Sequence, residues 1–373
     1  MPTTKPDLAF DLEGVCSACR SFESRSEIDW DEREKDFAGI IETEKGKRKW
    51  DCIVPVSGGK DSTYQVIKVL EYNLRPLCVT SSTCDLSDIG RRNIENIKSL
   101  GVDYLEFSPN KRVRRTLNRI GLETVGDISW PEHVGIFTIP VRVAVDFKIP
   151  LIIWGENSQN EYGGPNAAAT RNILDRRWLE EFGGLLGLRT SDLPGSHGIT
   201  ESDLTPYTYP EEDELAEVGI RGLFLGHYFP WDSVSNSIIA QASGFESFGR
   251  RVEGSMLDSE NLDNYQHGIH DYFKFLKYGY ARATDHISMQ IRRNRISRTM
   301  GVRLAQELEG KYPKTYLDKT LENILTPIGL TTQRFDEICD AFTNRSIFKL
   351  DVSGRLVRDS SGNLIKTNYD NLE

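Results

Sequence analysis

The sequence predicts an α/β fold: a doubly wound parallel sheet followed by a mostly helical C-terminal part. Short apolar runs of strand length alternate with longer helical stretches from residue 51 to residue 225. The spacing between runs is long enough for a crossover helix, as parallel strands require, and the crossovers are expected to be right-handed. From Trp231 onward the strand signal gives way to helical segments. At 373 residues and 38% hydrophobic, the chain can build one large α/β domain with an elaborated second part, or two domains.

Cys-Ile-Val-Pro-Val after Asp51 reads as a buried strand; Ser57-Gly58-Gly59 turns it into a helix over Asp61 to Tyr72. Pro76 to Ser82 is the next strand, Asp88 to Leu100 a helix, Tyr104 to Ser108 a strand and Lys111 to Ile120 a helix. A helical segment after Pro131 leads to the apolar strand Leu151 to Trp154. Gly155 to Gly198 is rich in Gly, Asn and Arg and reads as an insertion over a site, with one helix expected over Arg171 to Phe182. The strand Gly222 to Leu225 follows the acidic stretch Glu211 to Glu217, and Ser353 to Glu373 reads as a short hairpin or frayed tail.

The net charge of −10 opposes a polyanionic partner, so nucleic acid is disfavoured. Neither a signal-peptide h-region nor a run of about 18 apolar residues is present, so no membrane insertion and a cytoplasmic location are expected. Six cysteines, with only Cys16 and Cys19 closely paired, make no disulfide framework. Cys52, Cys78 and Cys339 read as core thiols.

Ser57-Gly58-Gly59-Lys60-Asp61-Ser62 sits where a buried strand meets a helix start. Unpaired N–H groups and the helix dipole favour an anion there, two glycines let the backbone wrap it, and Ser57 and Ser62 add hydroxyl donors. The expectation is a pyrophosphate cradle. The bland alternative is an ordinary βα turn capped by Asp61. The G-x-x-x-x-G-K-[ST] spacing of a Walker A loop is absent.

These six residues resemble the Ser-Gly-Gly-x-Asp-Ser signature of the PP-loop ATP pyrophosphatases. That resemblance implies an ATP site at Ser57, Gly58, Gly59, Lys60, Asp61 and Ser62, with Asp61 helping to hold Mg²⁺. It further implies adenylation of a substrate oxygen and displacement of AMP by a nitrogen or sulfur nucleophile. Longer stretches, among them Thr83 to Asn93, Val125-Gly126-Asp127-Ile128-Ser129-Trp130-Pro131-Glu132-His133, Trp154 to Asn157, Glu161 to Gly164, His270-Asp271-Tyr272 and Lys277-Tyr278-Gly279-Tyr280, resemble the N-acetyl sugar amidotransferases of bacterial surface-polysaccharide pathways. An amidotransferase of that family is expected to convert the acetamido group of an N-acetylated sugar nucleotide into an acetamidino group. Its expected partners are a glutamine amidotransferase and an ammonia-channel subunit resembling the histidine-pathway pair.

Within this frame the chain divides into an N-terminal segment (1–48), a PP-loop domain (49–230, with the insertion at 155–220) and a helical region completing the site (231–373). Glu156 and Asn157 follow a strand directly, at the carboxyl edge where doubly wound folds bind ligands, and are the first candidates for sugar or Mg²⁺ contacts. The competing reading is an acidic residue and an N-cap asparagine at a strand exit. Lys60, Lys277, Arg282 and Arg292 are candidates to stabilise the α-phosphorus and departing pyrophosphate, with Asp285 in the same segment. A solvated basic helix face is the alternative for Lys277 to Arg292. His267 and His270 lack the spacing of a catalytic zinc helix, and with His133 and His286 read as structural or substrate-contacting.

Two further classes stay open: sulfur transfer with Cys84 as nucleophile, and a non-catalytic nucleotide-binding subunit. Cys16-Ser17-Ala18-Cys19 makes half of a zinc knuckle by resemblance, and two thiolates cannot close a tetrahedral shell. The coding sequence is therefore expected to carry a further in-frame C-x-x-C just upstream of Met1, the extended protein binding one zinc and the 373-residue form none tightly; a relic pair is the alternative.

Overall fold

A computed structural model describes residues 1–156, 173–174, 186–195 and 197–367. The N-terminal segment carries α1 (Ser17–Glu23) and α2 (Trp30–Glu42). Then β1 (Cys52–Pro55), α3 (Lys60–Glu71), β2 (Pro76–Ser81), α4 (Asp88–Ser99), β3 (Asp103–Phe107), α5 (Lys111–Val125), α6 (Trp130–Asp146) and β4 (Leu151–Trp154) alternate. Two strands, β5 (Ile173–Leu174) and β6 (Arg221–Phe224), complete a sheet of order β3-β2-β1-β4-β6-β5. Strands β1, β2, β3, β4 and β6 run parallel, and β5 pairs antiparallel with β6.

The strands were legible because both faces are covered, which makes a parallel strand apolar throughout. Cys52, Val54 and Val56 pack with Phe37 and Ile41 of α2 and Val66 and Val69 of α3. Ile53, Ile152 and Trp154 face the other way, onto Ile139, Val143 and Ala144 of α6. Helix α5 runs past Ile120 to Val125 because Gly126, left-handed at φ 61°, supplies the stop.

One expectation is corrected at Ile173–Leu174, inside the helix expected over Arg171 to Phe182. These two residues pair with Gly222 and Leu223 as an edge strand. The open edge of β6 offers backbone partners that local helical preference does not outweigh. The rest of that expected helix lies outside the described residues.

C-terminal to the sheet come α7 (Ser233–Ala242), α8 (His267–Tyr278), α9 (Arg282–Arg292), α10 (Arg298–Leu308) and α11 (Thr332–Phe342). Their core is aromatic: Phe273 and Phe275 of α8 meet Phe335 and Cys339 of α11, and Phe348 beyond it. Bridges Leu350↔Leu356 and Arg358↔Leu364 fold the following segment back on itself, as the hairpin reading expected. Cys52, Cys78 and Cys339 are buried thiols.

Candidate active site

The carboxyl end of β1 delivers the glycine loop. Val56 N–H donates to Val79 O at 2.9 Å, extending the ladder one residue past β1, and Gly58 then turns left-handed at φ 88°. A Cβ on Gly58 would meet Ile94 Cγ1 at 2.9 Å. Gly59 is the N-cap of α3 in extended conformation and contributes no side-chain acceptor, so the first-turn N–H groups of α3 have no side-chain cap. Ser62 and Thr63 hydroxyls both donate to Gly59 O, at 2.9 and 3.0 Å, fixing the loop from below.

Ser57 and Ser62 line a cavity of about 230 Å³ that also touches Thr80 of β2, Trp154 of β4, Glu132 and His133 of α6, and Asp263, Asn264 and His267 at the start of α8. The sheet edge and the C-terminal part therefore share one chamber. Glu132 is fixed in its wall by Arg114 Nη1 at 3.0 Å and Asn118 Nδ2 at 2.8 Å.

Lys60 is buried beneath the loop, with Nζ 2.5 Å from Asp61 Oδ2 and 2.6 Å from Glu260 Oε1. Asn236 Nδ2 of α7 donates to Asp61 Oδ1 at 2.9 Å, and His286 Nε2 of α9 stands 3.6 Å from Glu260 Oε2. Burial pushes the Lys60 ammonium down, but Asp61 and Glu260 more than offset it and hold its pKa above the usual lysine range. Burial likewise pushes the Glu260 carboxyl up, yet His286, Lys60 and Arg282 bring it down to about 2. For His286 burial wins, and its pKa falls.

Glu156 leaves the sheet beside this loop. The register Ile53↔Ile152 sets Pro55 against Trp154, so Ser57 and Glu156 each lie two residues beyond neighbouring strand ends. Asn157, Gly163 and Gly164 lie outside the described residues.

The other candidates divide among three places. Arg282 Nε stands 3.6 Å from Asp271 Oδ1, and Asp285 is buried in an ion pair with Lys274; both bear on the same buried charge network. Lys277 instead donates to Val125 O at 2.6 Å and lies over the Phe342 ring, closing the C-terminal end of α5. Arg292 borders a cleft with Phe22 and Trp231 and lies close enough to Cys16 and Cys19 to act on their thiols.

Glu260, Asn236 and the trio Asp127, His133 and His270 were missed as a set. Asp127, buried in the turn between α5 and α6, faces His270 Nδ1 at 2.8 Å and His133 Nδ1 at 3.2 Å. Burial would raise the Asp127 carboxyl, but the two imidazoles hold it well below its usual range. His133 and Asp127 sit in one quoted sequence stretch; a carboxylate six residues before a histidine carries no helical spacing signal, and His270 is far away in sequence.

Cys16 and Cys19 lie with sulfurs 3.5 Å apart. Among the described residues no third histidine, cysteine or carboxylate ligand atom joins them, so the pair does not fit a closed zinc shell by itself. Burial raises the Cys84 thiol pKa, the opposite of an activated nucleophile. Among the described residues no helix is long and apolar enough to cross a membrane.

No curated protein matches the chain. A solved structure of NMN synthetase from Francisella tularensis aligns with 58% of this chain and 96% of its own, at 11% identity and a TM-score of 0.26. Residues 243–359, the region that brings Glu260, Asn264, His267, His270 and Arg282 to the site, match the family model described as LPS biosynthesis protein WbpG-like, C-terminal domain.

Proposed function

We propose that the protein is an ATP-dependent amidotransferase of the PP-loop type that serves lipopolysaccharide, O-antigen or other surface-polysaccharide biosynthesis. It adenylates the acetamido oxygen of an N-acetylated sugar nucleotide, releasing pyrophosphate, and ammonia then displaces AMP to give an acetamidino sugar. The observation that carries this reading is the uncapped N-terminus of α3 behind Ser57-Gly58-Gly59, opening on a cavity walled on its far side by Asp263, Asn264 and His267. Both arms of that wall are needed when three reactants meet away from water.

The loop fits a pyrophosphate: the first-turn N–H groups of α3, which no side chain caps, and the Ser57 hydroxyl are donors such an anion needs, Ser62 holds the loop through Gly59 O, and a side chain on Gly58 would be strained. Asp61 is the loop carboxylate for Mg²⁺; its oxygens take Lys60 and Asn236 and keep lone pairs to spare. Bound Mg²⁺ would neutralise charge on the departing pyrophosphate. Lys60 adds a fixed positive charge under the loop, and Glu260 keeps that lysine oriented. Arg282 contributes a second cation from α9. Glu156, at the sheet edge beside Ser57, is placed to contact the sugar or Mg²⁺, with Asn157 its neighbour in sequence. Lys277 and Asp285 then act by shaping α5, α8 and α9. Ammonia is supplied by separate glutamine amidotransferase and channel subunits in the cytoplasm.

The test is to incubate the protein with ATP, an ammonium salt and a panel of UDP-N-acetyl sugars. AMP, pyrophosphate and a sugar mass change equal to exchange of oxygen for NH are expected. A mass increase matching exchange for sulfur would sink the amidotransferase reading and support sulfur transfer.

A further inference from the structure

We infer that Asp127, His133 and His270 form a binding site for one divalent first-row transition-metal cation, opening on the cavity beside the phosphate loop. The three come from separate elements: the turn after α5, the first turn of α6 and the first turn of α8. Their ligand atoms all lie within 4.8 Å of one another. Two imidazole nitrogens and a carboxylate are a ligand set that zinc and iron accept while keeping positions open for solvent or substrate.

His270 Nδ1 meets Asp127 Oδ1 at hydrogen-bond distance, 2.8 Å, but His133 is less well matched to the carboxylate. Nδ1 of His133 stands 3.2 Å from Asp127 Oδ2, close enough to act on its charge but off the line of a well-formed hydrogen bond. An imidazole held there only to donate a proton would align its N–H with the oxygen. The two nitrogens face different oxygens of the one carboxylate, Oδ1 at 2.8 Å and Oδ2 at 3.2 Å, so a cation between the rings would be met by the carboxylate from either side. The two rings meet edge to face, with centroids 5.1 Å apart, so neither stacks on the other.

The surroundings are those of a supported site. Asp127 Oδ1 accepts the Ser129 N–H at 2.9 Å, which orients the carboxylate as an outer partner of a metal ligand does. His133 and His270 keep about a quarter and a fifth of their side-chain surface exposed, at 28% and 21%, so a cation can enter. His133 lines the same cavity as Ser57 and Ser62, so the open coordination positions face the place where the proposed reaction occurs. A cation there would polarise a substrate oxygen. That role rests on the amidotransferase reading; the binding itself does not.

The chelator-treated 373-residue protein should bind Co²⁺ with one-to-one stoichiometry in the absence of any substrate. The visible ligand-field bands should lack a sulfur-to-cobalt charge-transfer band, and Zn²⁺ should bleach them. His270→Gln and His133→Gln should each weaken binding by about a hundredfold or more, whereas the Cys16→Ser, Cys19→Ser double variant should bind as the parent does. If the histidine variants fold poorly, crystals of the unsubstituted protein soaked in Zn²⁺ decide: an anomalous peak between the three residues is expected. No cobalt binding, binding through thiolates, or a peak elsewhere would overturn the assignment. Because no step uses ATP or sugar, a negative amidotransferase assay leaves this result unaffected.

Discussion

Lys60 Nζ and Glu260 Oε1 meet at 2.6 Å inside the protein, tying the first residue of α3 to the C-terminal region across 200 residues of chain. Both side chains are buried, so each depends on the other for its charge to be tolerated.

Glu260→Gln removes the negative partner and leaves Lys60 with Asp61 alone. The expected loss is about 3–5 kcal/mol of unfolding free energy at neutral pH, read by urea denaturation. A loss below about 1 kcal/mol would show that the pair is not the anchor described.

The acid limb follows from the same carboxylate. Its folded pKa, about 2, lies below the ordinary 4.5, so the unfolded chain takes up the proton first. The stabilisation is therefore full above the unfolded value and is lost as pH falls from there toward 2. The stability difference between the parent and Glu260→Gln should shrink over that window. A difference that stays constant down to acid unfolding would contradict this.

The two loop glycines should part company. Gly59 has φ −76°, open to any residue, and a Cβ there meets Ser57 Oγ at 3.3 Å, so Gly59→Val should fold with nearly unchanged Tm and lose AMP production. Gly58→Val should lose activity and also about 1–3 kcal/mol of stability, since valine is strained at φ 88° and its Cβ presses on Ile94. Full turnover by Gly59→Val would remove the loop from the ATP site.

Glu156→Gln keeps the shape and removes the charge. A charge-assisted contact to sugar or metal is worth about 1.5–3 kcal/mol, so kcat/KM should fall about ten- to hundredfold with unchanged stability. Unaltered kinetics would leave Glu156 as part of the exit from β4 and nothing more.

Lys277→Met should instead act on stability. Its ammonium closes α5 through Val125 O, and burial pushes its pKa down against the pull of Asp127. A loss of about 1.5–3 kcal/mol with an unchanged KM for ATP is expected. A large fall in kcat at full stability would restore it to the reaction.

The strands and the glycine loop were legible because their signals are local: a doubly buried strand is apolar at every position, and a phosphate turn needs glycine within a few residues of a helix start. Glu156 could be set at the sheet edge for the same reason. What escaped was every relationship made by tertiary approach. Glu260 looks like an ordinary surface acid between Ser259 and Asn261, and nothing beside it in sequence announces Lys60 or His286. Asp127, His133 and His270 each have unremarkable neighbours and acquire meaning only when α6 and α8 converge. Ile173–Leu174 is strand because β6 has an open edge, a property of the assembled sheet.

The bond between Lys60 and Glu260 also constrains how such a chain can be rearranged. A chimera that joins residues 49–230 to the C-terminal part of a relative inherits a buried cation whose counter-charge must be replaced at one fixed point. Grafts that deliver a neutral side chain to position 260 should fold with the stability deficit of Glu260→Gln, however well their outer surfaces agree, so recombination in this architecture carries a cost set by one interior position.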